Sequence, residues 1–180
     1  MNARARLATV LLLTSVCGFA SADVSDAQFQ ALTQRLQVLE DKEAIRHLLE
    51  TYIDFNESRD YRAYSQLFAS NGQLNLRRGS AVGPDAIYEL LEKNFGGPLP
   101  AGSFLRNASH VLSNIVIDVD GDTATARSRW ALLSPAPADG TPRVAQSGFY
   151  RDRLVRENGE WKFLERSIVT GIPVPAAPQP

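Results

Sequence analysis

RNASHVLSNIVIDVDGDTATARSRWALL, running from Arg106 to Leu133, is where the hydrophobic period of the chain falls to two. His110, Leu112, Asn114 and Val116 alternate with Val111, Ser113, Ile115 and Ile117. Asp120-Gly121 is a tight turn of the kind that tolerates positive φ, and Thr123 to Leu133 returns with the same alternation. A long antiparallel hairpin is expected here. Pro135 to Pro142 reads as a loop. Beyond it, Gln146 to Val155 and Trp161 to Val169 read as two further strands joined at Asn158-Gly159.

Upstream of this stretch the period is helical. Phe29, Leu32, Leu36 and Leu39 mark a first helix over residues 25–39. Asp41 reads as the cap of a second helix, with Ala44, Ile45, Leu48, Leu49, Tyr52 and Ile53 on one broad face and an end near Asn56 to Ser58. Asp60 reads as the cap of a short third helix carrying Tyr64, Leu67 and Phe68. Asn71-Gly72 is a turn signal, followed by a short strand at Leu74 and Leu76. Gly83-Pro84-Asp85 opens another helix with Pro at its first position, and Gly96-Gly97-Pro98 closes it. Helices first and long strands after them mean an α+β fold. A curved antiparallel sheet capped by N-terminal helices should form a half-open cone.

The 180 residues divide into three parts. Residues 1–22 read as a signal peptide. Arg4 and Arg6 form the basic region, Leu7 to Val16 the apolar run, and Ala20-Ser21-Ala22 a small-residue cleavage site. That run is short for a membrane span, which needs about 20 apolar residues. Cys17, the only cysteine, also leaves open a lipoprotein reading. Residues 23–170 form one domain, and residues 171–180 a flexible Pro-rich tail. Cleavage after Ala22 leaves 17 basic against 20 acidic residues, net −3, which argues against a nucleic-acid partner. The expected location is periplasmic or secreted, with no membrane span in the mature protein.

Few side chains suit chemistry. His47, in the second helix beside Arg46 and one turn after Glu43, reads as a solvated surface histidine. His110 opens a long strand on the face shared with Leu112 and Asn114. It is either a hydrogen-bonded core histidine or an imidazole beside an apolar pocket, able to move a proton near neutral pH. Asp54 and Glu57 lie at the end of the second helix. A carboxylate facing an apolar cavity gains proton affinity by desolvation, although a polar helix end is the simpler reading. Tyr52 and Tyr64 are phenol donors or core residues. There is no Gly-rich phosphate loop, no zinc-like His/Cys spacing and no Gly-x-Ser-x-Gly elbow, so neither a metal nor another cofactor is expected.

Several short pieces occur in a particular order. They are Leu39-Glu40-Asp41-x-Glu43-Ala44-Ile45, Leu48-x-x-x-Tyr52, Arg59-Asp60-Tyr61, Leu67-Phe68-Ala69, Gly83-x-x-Ala86-Ile87, His110-x-x-x-Asn114, Asp120-Gly121-Asp122-x-Ala124, Gly148-x-Tyr150-x-Asp152 and Asn158-Gly159-x-Trp161-Lys162-Phe163. Together, over about residues 36–169, they resemble the SnoaL-like branch of the nuclear-transport-factor-2-like superfamily. The resemblance implies a cone-shaped α+β barrel holding an apolar ligand, and dimers or trimers. Its relatives include polyketide cyclases, scytalone dehydratase and ketosteroid isomerases, which work by cofactor-free proton abstraction next to a carbonyl. His110 matches the dehydratase histidine that opens a cone-lining strand, and Glu57 falls where those enzymes carry an aspartate. Asn56 stands in place of a tyrosine, Leu76 near a second tyrosine, and Ser128 near a second histidine.

The resulting expectation is a lyase or isomerase with Glu57 and His110 sharing proton transfer. Tyr52, Asn56, Asn114, Ser128, Trp130, Phe149 and Tyr150 are the expected substrate contacts. A non-catalytic module binding a small hydrophobic molecule, and a scaffold domain, are the rival readings.

Overall fold

A computed structural model describes residues 25–97, 99–100, 108–136 and 138–171. The expected signal peptide, Cys17 and nearly all of the Pro-rich tail lie outside them. Helix α1 spans Asp26–Ser58, α2 Tyr61–Ser65 and α3 Pro84–Phe95. The strands are β1 Phe68–Leu76, β2 Gly79–Val82, β3 Ser109–Asp120, β4 Thr123–Pro135, β5 Pro142–Glu157 and β6 Glu160–Thr170. They form one sheet in the order β2-β1-β6-β5-β4-β3, antiparallel except where β1 runs parallel to β6. The sheet edges β2 and β3 do not pair, so the curved sheet stays open. The fold is α+β, as its segregated periodicities imply.

The first two expected helices are one. Ser25 caps α1 through a capping box with Gln28, and the helix continues through Asp41 without a break. Asp41 is not a cap. It is buried within the helix, where its carboxylate accepts from Arg156 at 2.5 Å and from Trp161 at 3.2 Å. Burial alone pushes that carboxyl up, but Arg156, Trp161 and Gln37 outweigh it and hold the group below its ordinary range. The helix closes at Arg59, which takes the left-handed conformation at φ 53°. Asp60 then caps α2 as expected, accepting from the Ala63 N–H, but the helix ends at Ser65, so Leu67 lies beyond it and Phe68 opens β1.

The sheet holds four further departures. Asn71-Gly72 does not end a strand but lies inside β1, at an irregularity in its pairing with β6. Glycine is required there because a Cβ on Gly72 would fall 2.5 Å from the Phe163 carbonyl oxygen. Strand β2 carries no periodic signal and forms as the antiparallel partner of β1. The Pro135–Pro142 segment is shorter as a loop than it reads, since those two prolines are cross-strand partners. In β3 the pairing slips between Ser113 and Val116, with Asn114 at φ 51°. This bulge inverts the alternation. His110 and Leu112 face inward before it, and Ile115, Ile117 and Val119 after it. The core packs Ile45, Leu49, Tyr52 and Ile53 of α1 with Ile87 and Leu91 of α3 against the concave face of the sheet.

Candidate active site

A cavity of 390 Å³ opens between the end of α1, α3 and the concave sheet. Tyr52 and Asn56, one turn apart on α1, form one wall. Inward positions of β3, β4 and β5 supply His110, Trp130, Leu132 and Tyr150. Leu91 and Phe95 of α3 and Ile168 of β6 add apolar surface. Trp130 stacks on Tyr150 with ring centroids 6.0 Å apart, and their closeness depends on Gly148, opposite Trp130. A Cβ on Gly148 would fall 1.9 Å from the Val169 carbonyl oxygen and 3.0 Å from the indole.

His110 meets Glu57 behind this wall. Glu57 Oε1 accepts the backbone N–H of His110 and stands 3.4 Å from its Nδ1. That distance is within ion-pair reach, but Nδ1 has no geometrically sound hydrogen bond. Glu57 itself does not line the cavity, so the two groups do not face a ligand side by side. Burial lowers the His110 pKa below its usual value, with Glu57 partly opposing the shift. The imidazole is therefore neutral at pH 7. A carboxylate at Nδ1 favours the tautomer protonated there, which leaves Nε2 as the proton acceptor.

Other expected contacts divide. Tyr52, Asn56, Trp130 and Tyr150 do line the cavity. Asn114 is exposed at the bulge and leaves the His110 face. Ser128 is buried beneath the lining, and Phe149 points to the other side of the sheet, under Arg151. His47 is exposed, and Glu43 pairs with Arg46 rather than with it.

Three features were not foreseen. The Tyr64 hydroxyl donates to the Tyr52 hydroxyl at 2.7 Å, which leaves the Tyr52 proton free to point elsewhere. Burial raises the pKa of Tyr52, Tyr64 and Tyr150, so these phenols stay neutral. Secondly, Arg59, Arg77 and Arg78 line the cavity, and among the described residues no Asp or Glu does. Thirdly, Arg166 and Asp152 form a wholly buried pair, 3.5 Å apart, under the cavity floor. The Arg166 guanidinium lies 3.7 Å from the Tyr52 ring centroid and 3.9 Å from that of Tyr150. Burial pushes Asp152 up to about 6, against the pull of Arg166. For Arg166 burial opposes the charge, but Asp152 and the tyrosines keep it protonated. Asp152 shares its inward parity with Tyr150, a usable sequence signal. Arg166 was hidden by the irregular register between β5 and β6 near Leu154.

Among the described residues no three His, Cys, Asp or Glu gather as a metal site, and no helix is long and apolar enough to cross a membrane.

Comparison with known proteins agrees with this architecture. An NTF2-like protein with a cystatin-like fold from Novosphingobium aromaticivorans superposes with a TM-score of 0.67 at 24% identity, covering 86% of this chain and 93% of its own. A proposed scytalone dehydratase from the same organism gives 0.58 at 26% identity, covering 74% and 86%. A protein of unknown function with a cystatin-like fold from Nostoc punctiforme gives 0.58 at 25%, covering 77% and 94%. No curated protein matches by sequence. The profile of the SnoaL-like domain matches residues 37–167, most of the chain, and the protein belongs to the SnoaL-like family.

Proposed function

We propose that this protein is a cofactor-independent lyase or isomerase acting by proton transfer on a small, largely apolar carbonyl compound. The observation that carries this reading is His110, an imidazole on the cavity wall with the Glu57 carboxylate beside its Nδ1. In the proposed reaction, His110 Nε2 takes a proton from the carbon next to the carbonyl, and the electron pair moves onto the carbonyl oxygen. Tyr52, with its own oxygen engaged by Tyr64, is the candidate donor to that oxyanion. The imidazolium then returns the proton to another carbon, or to a departing hydroxyl, which leaves as water. Glu57 holds the ring and steadies its positive charge, a positioning role rather than an equal share in the transfer.

Trp130, Tyr150, Leu132 and Phe95 suit a flat or aromatic body. Arg59, Arg77 and Arg78 suit an anionic or strongly polar substituent. The similarity to a proposed scytalone dehydratase supports the same class of chemistry. The basic opening of residues 1–22 supports export to the periplasm or beyond.

A binding module without turnover is the second reading. It is favoured by one observation, that among the described residues no carboxylate lines the cavity. Proton exchange separates the two. A panel of cyclic ketones and β-hydroxy ketones is incubated with the protein in D2O and followed by NMR. Enzyme-dependent deuteration next to the carbonyl, lost in His110→Ala, supports catalysis. Ligand binding with no exchange or turnover across the panel, or exchange undiminished in folded His110→Ala, overturns it.

A further inference from the structure

The first half of α1 carries a surface that the described residues of its own domain leave uncovered. Every residue from Asp26 to Glu40 is exposed, and the first buried position is Asp41. That half-helix is about 22 Å long. Phe29, Leu32, Leu36 and Leu39 are 53–65% exposed along it. Their spacing of three, four and three residues is that of a and d positions in two heptads.

The direction of this stripe matters. At 3.6 residues per turn it points roughly 160° away from the stripe of Ile45, Leu48, Leu49 and Tyr52 that enters the core. The apolar face of α1 thus changes sides near Asp41. The N-terminal stripe faces away from the domain to which the helix is anchored, and no described residue covers it.

We infer that Phe29, Leu32, Leu36 and Leu39 form the seam of a parallel two-helix pairing with a second copy of this chain. The flanking charges choose the partner and its direction. Arg35 stands at a g position and Glu40 at the following e position. In a parallel pair these two meet across the seam, twice by symmetry. An antiparallel pair instead sets Arg35 against its own copy and Asp26 against Glu40, both repulsive. Two heptads are too short to sustain an isolated helix pair. Here the core already anchors the helix through Ile45 to Ile53, so pairing carries no helix-nucleation cost. The opposed stripes also place the two domains on the outer sides of the pair, clear of one another.

Sedimentation equilibrium of the purified protein at micromolar concentrations tests this. The expected mass is two copies. Leu32→Glu with Leu36→Glu should yield a monomer whose near-UV circular dichroism is unchanged, because these side chains are more than half exposed. Arg35→Glu alone should weaken pairing about five- to tenfold, and adding Glu40→Arg should restore it. A wild-type monomer, a three-copy assembly, an assembly that survives the double leucine change, or a charge swap that restores nothing overturns the inference.

Discussion

Glu57 holds His110 at two points, accepting its backbone N–H and standing 3.4 Å from its Nδ1 with the same carboxylate oxygen. The histidine begins an edge strand, where backbone groups are otherwise free. The last turn of α1 therefore fixes the start of the strand and sets a carboxylate beside the ring. Through this contact the helix sets the position of the cavity's one imidazole.

Removing the charge at Glu57 while keeping its shape separates these duties. Glu57→Gln retains an oxygen for the backbone N–H, so stability should fall by no more than about 1 kcal/mol. Turnover should fall about a hundredfold, because the imidazolium loses its counter-charge. Steady-state kinetics beside urea unfolding reads both. Equal and small effects on each would reduce Glu57 to a structural contact.

The pH profile should carry the mark of burial. His110 works as a base only when neutral, and burial holds its pKa below the ordinary 6.5. Activity should therefore be lost only at pH below 6.5, on an acidic limb. In Glu57→Gln that limb should move to still lower pH, because the carboxylate opposes the downward shift. An upward move would contradict the assigned electrostatics.

The Arg166–Asp152 pair gives a stability prediction. Asp152→Asn strands a wholly buried guanidinium and should cost about 3–5 kcal/mol. Arg166→Met should cost less at acidic pH, because Asp152 already titrates near 6 and can be protonated. Its folded-state pKa then lies further above the unfolded one. Folding takes up a proton, and stability is lost as pH rises through that window. Urea midpoints at pH 5 and pH 8 read the difference, and a pH-independent loss would contradict it.

Asp41 should behave in the opposite way. Its folded pKa is depressed, so its contribution is present above the ordinary carboxyl pKa and lost as pH falls through the folded value. Asp41→Ala removes charge-assisted bonds to Arg156 and Trp161 and should cost about 2–3 kcal/mol at pH 7. A change below about 0.5 kcal/mol would show that Arg156 finds an equivalent partner in Asp122, 3.0 Å from it.

Periodicity carried most of the fold. The hairpin at Asn158-Gly159 and the Pro84 helix start form where the sequence places them, and the other hairpin turns one residue later than expected, at Gly121-Asp122. Asp41 misled because an aspartate before an apolar run reads locally as a cap, while Arg156 and Trp161, which hold it, lie more than a hundred residues away. Asn114 misled because one bulge inverts strand parity, and a bulge has no periodic signature. In the cavity, Tyr52 was legible on the apolar helix face and His110 on a strand face, while Asn56 came from the family resemblance; all three line it with Trp130 and Tyr150. The arginine-lined side and the buried Arg166 were not legible, since they depend on a short unsignalled strand pair and on an irregular register.

The account turns on the protonation state of one ring, and nitrogen-15 NMR of labelled histidine measures it without a known substrate. His47, the other histidine, is removed as His47→Gln to leave one imidazole in the spectrum. At pH 7 His110 should be neutral, with the proton on Nδ1 and a bare Nε2, and should titrate below 6.5. Glu57→Gln should mix the tautomers and lower the titration further. A charged ring at pH 7, or a neutral ring protonated at Nε2, would contradict the assignment of His110 as the cavity base.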